Sequence, residues 1–180
     1  MRNSTVRKIT FAGVIAAVYF TLTLLLTPIS FGNIQARLSE ALTLLALLAP
    51  EAIWGVTLGC LLSNIFGVLM GTNILGVLDI VIGTLATLMA GYLTYRFRKI
   101  RIKGIPWLSA FMPIIFNGIF IGLEFALALA SAESFGIVWL VAGGEVAIGE
   151  AISCLGLGLP LALYLEKNQV INKLSIKRED

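Results

Sequence analysis

Six apolar runs alternate with short polar or basic breaks along the chain, at 9–29, 38–49, 52–70, 74–95, 105–130 and 137–165. Thr27-Pro28 and Ser30-Phe31-Gly32-Asn33 close the first, and Pro50-Glu51 divides the second from the third. Gly71-Thr72-Asn73, the basic stretch 96–103 and the stretch 131–136 make the remaining breaks. Proline, glycine, asparagine and charge end apolar helices, so each run is one element. A membrane-spanning helix needs about 20 apolar residues, with a range of about 17–25. Five runs meet that length. The second, about 18 Å long as an α-helix, falls short.

The placement of basic residues decides how the short run counts. Arg2, Arg7 and Lys8 precede the first run; Arg96, Arg98, Lys99, Arg101 and Lys103 separate the fourth from the fifth; Lys167, Lys173, Lys177 and Arg178 follow the last. Basic flanks lie on the cytoplasmic side, so these segments belong together. An even number of crossings must then separate Lys8 from Arg96. Two crossings would drive one helix through Pro50 and beyond the bilayer's thickness, which excludes them. The expectation is a single all-α membrane domain over 1–180: a six-transmembrane-helix bundle with N- and C-termini cytoplasmic, Arg37 outside and a tail at 166–180.

Composition supports this reading. Of 180 residues, 58% are hydrophobic and 13% charged, with a net charge of +3. A soluble domain carries roughly 25% charged residues, so nucleic-acid modules, secreted scaffolds and most soluble enzymes are set aside. There is no histidine. Cys60 and Cys154 sit inside apolar runs, as small packing residues rather than a disulfide or metal pair. The sequence calls for no cofactor and no metal.

Small residues recur at helical spacing. Gly55, Gly59, Ser63, Gly67 and Gly71 make a groove along the third run, and such grooves let neighbouring backbones approach closely. Ala12 and Ala16, with Gly13 and Ala17 beside them, form a similar pair on the first. That pair serves either internal packing or docking of a partner.

Acids within apolar runs are costly and default to functional hypotheses. Asp79, Glu124, Glu145 and Glu150 are such acids, and no basic residue lies within a run to pair with them. Asp79, Glu124, Glu145 and Asn64 fall at about 8–12 Å below the outer ends of four helices. Asn117 and Glu150 lie at about 20 Å. The loop after the first run adds Asn33, Gln35, Arg37 and Glu40, and Phe31, Phe116, Phe120, Phe135 and Trp139 flank the zone. Together they point to an outward-facing pocket for a small polar ligand with N–H donors or a positive group, and a flat part for aromatic contact. The residues expected to bind it are Gln35, Arg37, Glu40, Asn64, Asp79, Asn117, Glu124, Trp139 and Glu145. Alternatively, the polar groups satisfy backbone or one another.

No phosphate loop, H-E-x-x-H, G-x-S-x-G or cysteine–histidine pairing is present, so the chain is no enzyme by motif. The segment Phe31-Gly32-Asn33-Ile34-Gln35-Ala36-Arg37-Leu38-Ser39-Glu40-Ala41-Leu42 resembles the loop motif of the QueT family of queuosine-precursor transporters. Gly59-Cys60-Leu61-Leu62-Ser63-Asn64 is similar to that family's third helix. More widely, the chain resembles the substrate-specificity (S) components of energy-coupling-factor (ECF) importers.

The resemblance implies an S component in the cell membrane of a prokaryote. It would capture a micronutrient outside and join a transmembrane coupling subunit and two ATPase subunits, with Ala12 and Ala16 as the partner-docking pair. A queuosine precursor is a 7-deazaguanine, whose N–H edge suits a carboxylate and whose ring suits aromatic stacking. Cobalamin or another vitamin remains an alternative ligand. A stand-alone cation-coupled carrier is the alternative mechanism, motivated by the acids, and a membrane-embedded enzyme ranks below both.

Overall fold

The computed structural model describes residues 2–31 and 37–170, with side chains from Thr5 onward. The described residues are helical: α1 (Arg2–Leu25), α2 (Thr27–Ser30), a 3-10 helix (Leu38–Leu47), α3 (Glu51–Leu69), α4 (Val77–Phe97), α5 (Trp107–Leu129), α6 (Phe135–Ala151), a π-helical segment (Ile152–Gly158) and α7 (Leu159–Lys167). Five helices are long and apolar enough to cross a membrane, the last running unbroken over Phe135–Lys167. Their outer faces carry exposed Val14, Leu62, Leu78, Ile115 and Leu140, as expected where lipid is the solvent.

Helix directions follow from close approaches. A Cβ at Gly55 would lie 2.8 Å from the Ala12 carbonyl oxygen, and one at Gly59 would lie 2.7 Å from Tyr19 Cβ. Gly67 in turn packs on the Phe31 ring. α1 and α3 therefore run parallel along the glycine groove. Lys8 and Glu51 pair at 3.0 Å across their N-terminal ends. The chain must return from Phe31 to Glu51 between these parallel helices. The residues from Glu51 to Gly67 rise about 24 Å. Ten residues of α-helix would cover about 15 Å of that return. The 3-10 helix, at about 2 Å per residue, covers about 20 Å. It threads the interior, where Ser39, Glu40, Ala41, Thr43 and the stretch 44–47 are buried.

The remaining neighbours alternate in direction. Asn64 meets Asp79 while Ile53 meets Gly91, so α3 and α4 are antiparallel. Gly122 packs on Gly143 and Trp139, and Gly118 on Gly143 and Ala147, which sets α6 antiparallel to α5. Two prolines lie within this scaffold. Pro113 has no N–H for the Ser109 carbonyl one turn back, and the Thr94 hydroxyl donates to that oxygen at 3.1 Å instead. Pro160, in the first turn of α7, follows directly on the π segment, whose wider turns spare the proline ring a clash. At Gly158 that segment touches the 3-10 helix, where a Cβ would sit 2.6 Å from the Ala41 carbonyl oxygen.

The two ends of the bundle differ in chemistry. Lys8, Glu51 and an Arg101–Glu166 pair (2.8 Å) mark one end. Between α4 and α5 the chain reverses there in a tight turn, with positive φ at Lys103 and Gly104. Phe31, Arg37, Asn64, Asp79 and Glu124 lie toward the other end.

Candidate functional site

Asp79, in the first turn of α4, is fully buried and organises the first group of polar side chains. The Arg37 guanidinium is bonded to its Oδ2 as an ion pair. Asn73 Nδ2 donates to the same oxygen at 2.9 Å. Asn64 Nδ2, from α3, lies 3.2 Å from Oδ1 and donates to the Asp79 backbone carbonyl at 2.6 Å. Asn73 is aimed by its own turn: its Oδ1 accepts from the Leu75 N–H at 3.1 Å, and Gly76 starts α4 with φ +64°. Gly83, one turn on, leaves room for the Asp79 carboxylate, which a Cβ there would strike.

Arg37 is held from several sides. Its Nε donates to the Ser30 carbonyl at 3.4 Å, its NH1 reaches Cys60 Sγ at 3.7 Å, and its guanidinium lies over the Phe31 ring at 5.3 Å. This corrects one expectation: the buried acids do have a basic residue to pair with, because Arg37 is drawn inside the bundle, 4% exposed, onto Asp79. Phe31 serves as the platform for that cation, sealed against Gly67.

Glu40, three residues on, is satisfied by hydroxyls. Tyr19 donates at 2.5 Å and Thr87 at 2.9 Å to Oε1, and Thr43 donates at 2.7 Å to Oε2. The donors come from α1, α4 and the 3-10 helix itself. Glu40 therefore ties the 3-10 helix into the bundle.

Glu124, on α5, contrasts with both. It is fully buried, yet neither carboxylate oxygen has a hydrogen-bond partner among the described residues. It lies within electrostatic range of Asp79 and Arg37. Asn117, seven residues earlier on the same face, lies beside Glu150. Glu150 is 2% exposed, with Cys154 Sγ 3.7 Å from its Oε2. Arg37, Glu40, Asn117, Ile121, Val146 and Glu150 enclose a cavity of about 10 Å³, room for about one water. The described cluster thus sets four buried carboxyl groups, Glu40, Asp79, Glu124 and Glu150, around the single guanidinium of Arg37. Such a site takes up positive charge and N–H donors.

Of the residues expected to bind ligand, the structure brings together Arg37, Glu40, Asn64, Asp79, Asn117 and Glu124. Gln35 lies outside the described residues. Glu145 is not brought to the cluster: it is exposed on α6. Trp139 is likewise apart, its Nε1 donating to the Ile119 carbonyl at 3.0 Å beside an apolar groove. Ala12 and Ala16, the expected docking pair, pack within the chain: Ala16 is 4% exposed and Ala12 half-buried, both against the α3 glycines, while Gly13 and Ala17 beside them are exposed. Sequence reasoning missed Tyr19, Asn73 and Thr87. The Tyr19 and Thr87 hydroxyls carry little hydropathy signal within apolar runs, Asn73 reads as a turn residue in the break at 71–73, and only the fold brings these three to carboxylates.

Residues 9–167 match the QueT transporter family. The chain belongs to that family. Its five long apolar helices are those of a multi-pass membrane protein. Over 91 residues it is 34% identical to the queuosine precursor transporter QueT of Lactococcus lactis subsp. cremoris (strain MG1363), covering 49% of this chain. The match spans 50% of that relative, about half its length. No solved structure matches the chain.

Proposed function

We propose that the chain is the substrate-binding S component of an ECF importer for a queuosine precursor, a 7-deazaguanine, in the cell membrane of a prokaryote. One observation carries this reading: the buried Glu124 carboxylate has no partner among the described residues, in a cluster already rich in acid. A buried acceptor left unmatched costs about 1–3 kcal/mol, and more when charged, so its natural complement is a ligand with adjacent N–H donors. The pyrimidinone edge of a deazaguanine supplies them, and a cationic aminomethyl group would suit the surplus of carboxyl groups. With a cavity of about 10 Å³ beside Asn117, ring-sized ligand enters only as the 3-10 helix and α5–α6 part.

Six crossings with both termini inside accord with this role. The Lys8–Glu51 and Arg101–Glu166 pairs support gathering the basic segments at one end, which the positive-inside rule assigns to the cytoplasm. The acid cluster then lies toward the other side, where ligand is captured. Energy comes from a transmembrane coupling subunit and two ATPases. α1 offers the docking face: 22% of its apolar window is buried, against 39–56% in the other four long helices.

A second reading, a stand-alone cation-coupled carrier, draws on the four buried carboxyl groups around one guanidinium. Reconstitution separates the two. The S-component reading expects the isolated chain to bind the aminomethyl deazaguanine without ATP, and uptake into liposomes only with the coupling and ATPase subunits. Uptake by the chain alone, abolished by an uncoupler, would establish the carrier.

A further inference from the structure

The end of the bundle opposite the acid cluster carries a groove of about 600 Å³ between the start of α3 and the end of α4. That volume lies in the range of ligand-sized sites. Its wall is apolar and aromatic: Ile53 and Trp54 on one side, Leu88, Met89, Tyr92 and Tyr95 on the other. Trp54 is 67% and Tyr92 57% exposed, so none of the described residues covers the groove. Close packing of Ile53 on Gly91 brings the two helices together behind it.

Charge marks the mouth. Arg98 directly follows α4, and its guanidinium lies 3.7 Å from the centre of the Tyr95 ring. Its NH1 also donates to the Tyr95 carbonyl at 2.9 Å. The guanidinium is thereby fixed over a residue that lines the groove, with its other N–H groups making no hydrogen bond to the described residues. Arg96 and Lys99 are exposed one to two positions away. Glu51, the neighbouring acid, is engaged by Lys8. An apolar trough that ends under fixed positive charge is complementary to an acyl chain beneath an anionic headgroup.

We infer that this groove is a seat for an anionic phospholipid, its acyl chain along Trp54, Met89 and Tyr92 and its phosphate at Arg98. Tyrosine and tryptophan favour the headgroup level, where their polar tips stay wet. A juxtamembrane basic side chain gives about a fivefold preference for anionic lipid, and Arg98 contributes that factor. The seat is independent of the substrate reading, because it uses none of the acid-cluster residues.

The test uses the full chain in nanodiscs containing lipids brominated on the acyl chain. The quenching due to Trp54 is the part that Trp54→Phe removes. Brominated phosphatidylglycerol should quench Trp54 at about fivefold lower mole fraction than brominated phosphatidylcholine. Arg98→Gln should erase that preference and Arg98→Lys keep most of it. Equal quenching by both lipids would mean ordinary boundary lipid and overturn the seat. No quenching by either would mean a groove closed to lipid, and would also overturn it. A preference undiminished in Arg98→Gln would refute the role of Arg98.

Discussion

Arg37 is bonded to Asp79, 42 residues further along the chain, and the two side chains are 5% and 0% exposed. The pair joins the segment before the 3-10 helix to the first turn of α4. Breaking a buried pair by removing one partner costs about 3–5 kcal/mol, because an uncompensated charge remains. Asp79→Ala or Arg37→Ala should therefore lower thermal stability sharply. The double variant Arg37→Ala/Asp79→Ala should lose less than the sum of the single losses. Tryptophan fluorescence on heating the detergent-solubilised chain measures this, and strict additivity would show that the pair contributes nothing.

The hydroxyls on Glu40 are expected to act as anchors for the 3-10 helix. Tyr19→Phe removes the 2.5 Å donor from α1, and Thr87→Ala the 2.9 Å donor from α4. Each leaves a buried carboxylate short of one donor, at a cost of about 1–3 kcal/mol. Both melting temperatures should fall, and Tyr19→Phe should speed hydrogen exchange in the stretch 38–47. Unchanged exchange there would contradict the anchoring.

In the proposed role, close packing and docking use two different faces of α1. Gly55→Val and Ala16→Leu should destabilise the bundle, since the α1–α3 contact leaves no space for added side-chain atoms. Gly13→Leu and Ala17→Leu point away from α3 and should leave stability unchanged while blocking assembly with the coupling subunit. Co-purification of the complex reads the second effect. Normal assembly by both exposed-face variants would move the docking surface elsewhere.

Much of this was legible in the sequence. Apolar runs marked the five long helices to within a few residues, because lipid demands uninterrupted apolar length. The seven-residue spacing correctly set Asn117 and Glu124 on one face. Depth along a helix, however, says nothing of direction around it. Glu145 and Glu150 are five positions apart, about 140° around an α-helix, so they face different ways. The structure buries Glu150 and exposes Glu145. The Arg37–Asp79 pair escaped for a related reason: hydropathy registers each charge by itself but not the partner that makes its burial tolerable. The 3-10 winding was hidden too, since it answers to the distance between parallel helices rather than to any local preference.

The central claim is that Glu124 awaits a donor-rich ligand, and calorimetry on the purified chain with the aminomethyl deazaguanine tests it most directly. A buried hydrogen-bonding group left without its match costs about 1–3 kcal/mol, so Glu124→Gln should weaken binding about 5-fold to 150-fold. Its melting temperature should not fall, because Glu124 has no hydrogen bond among the described residues to lose. Glu145→Gln, on the exposed face of α6, should bind as the unaltered chain does. Full affinity in a folded Glu124→Gln protein would contradict the account.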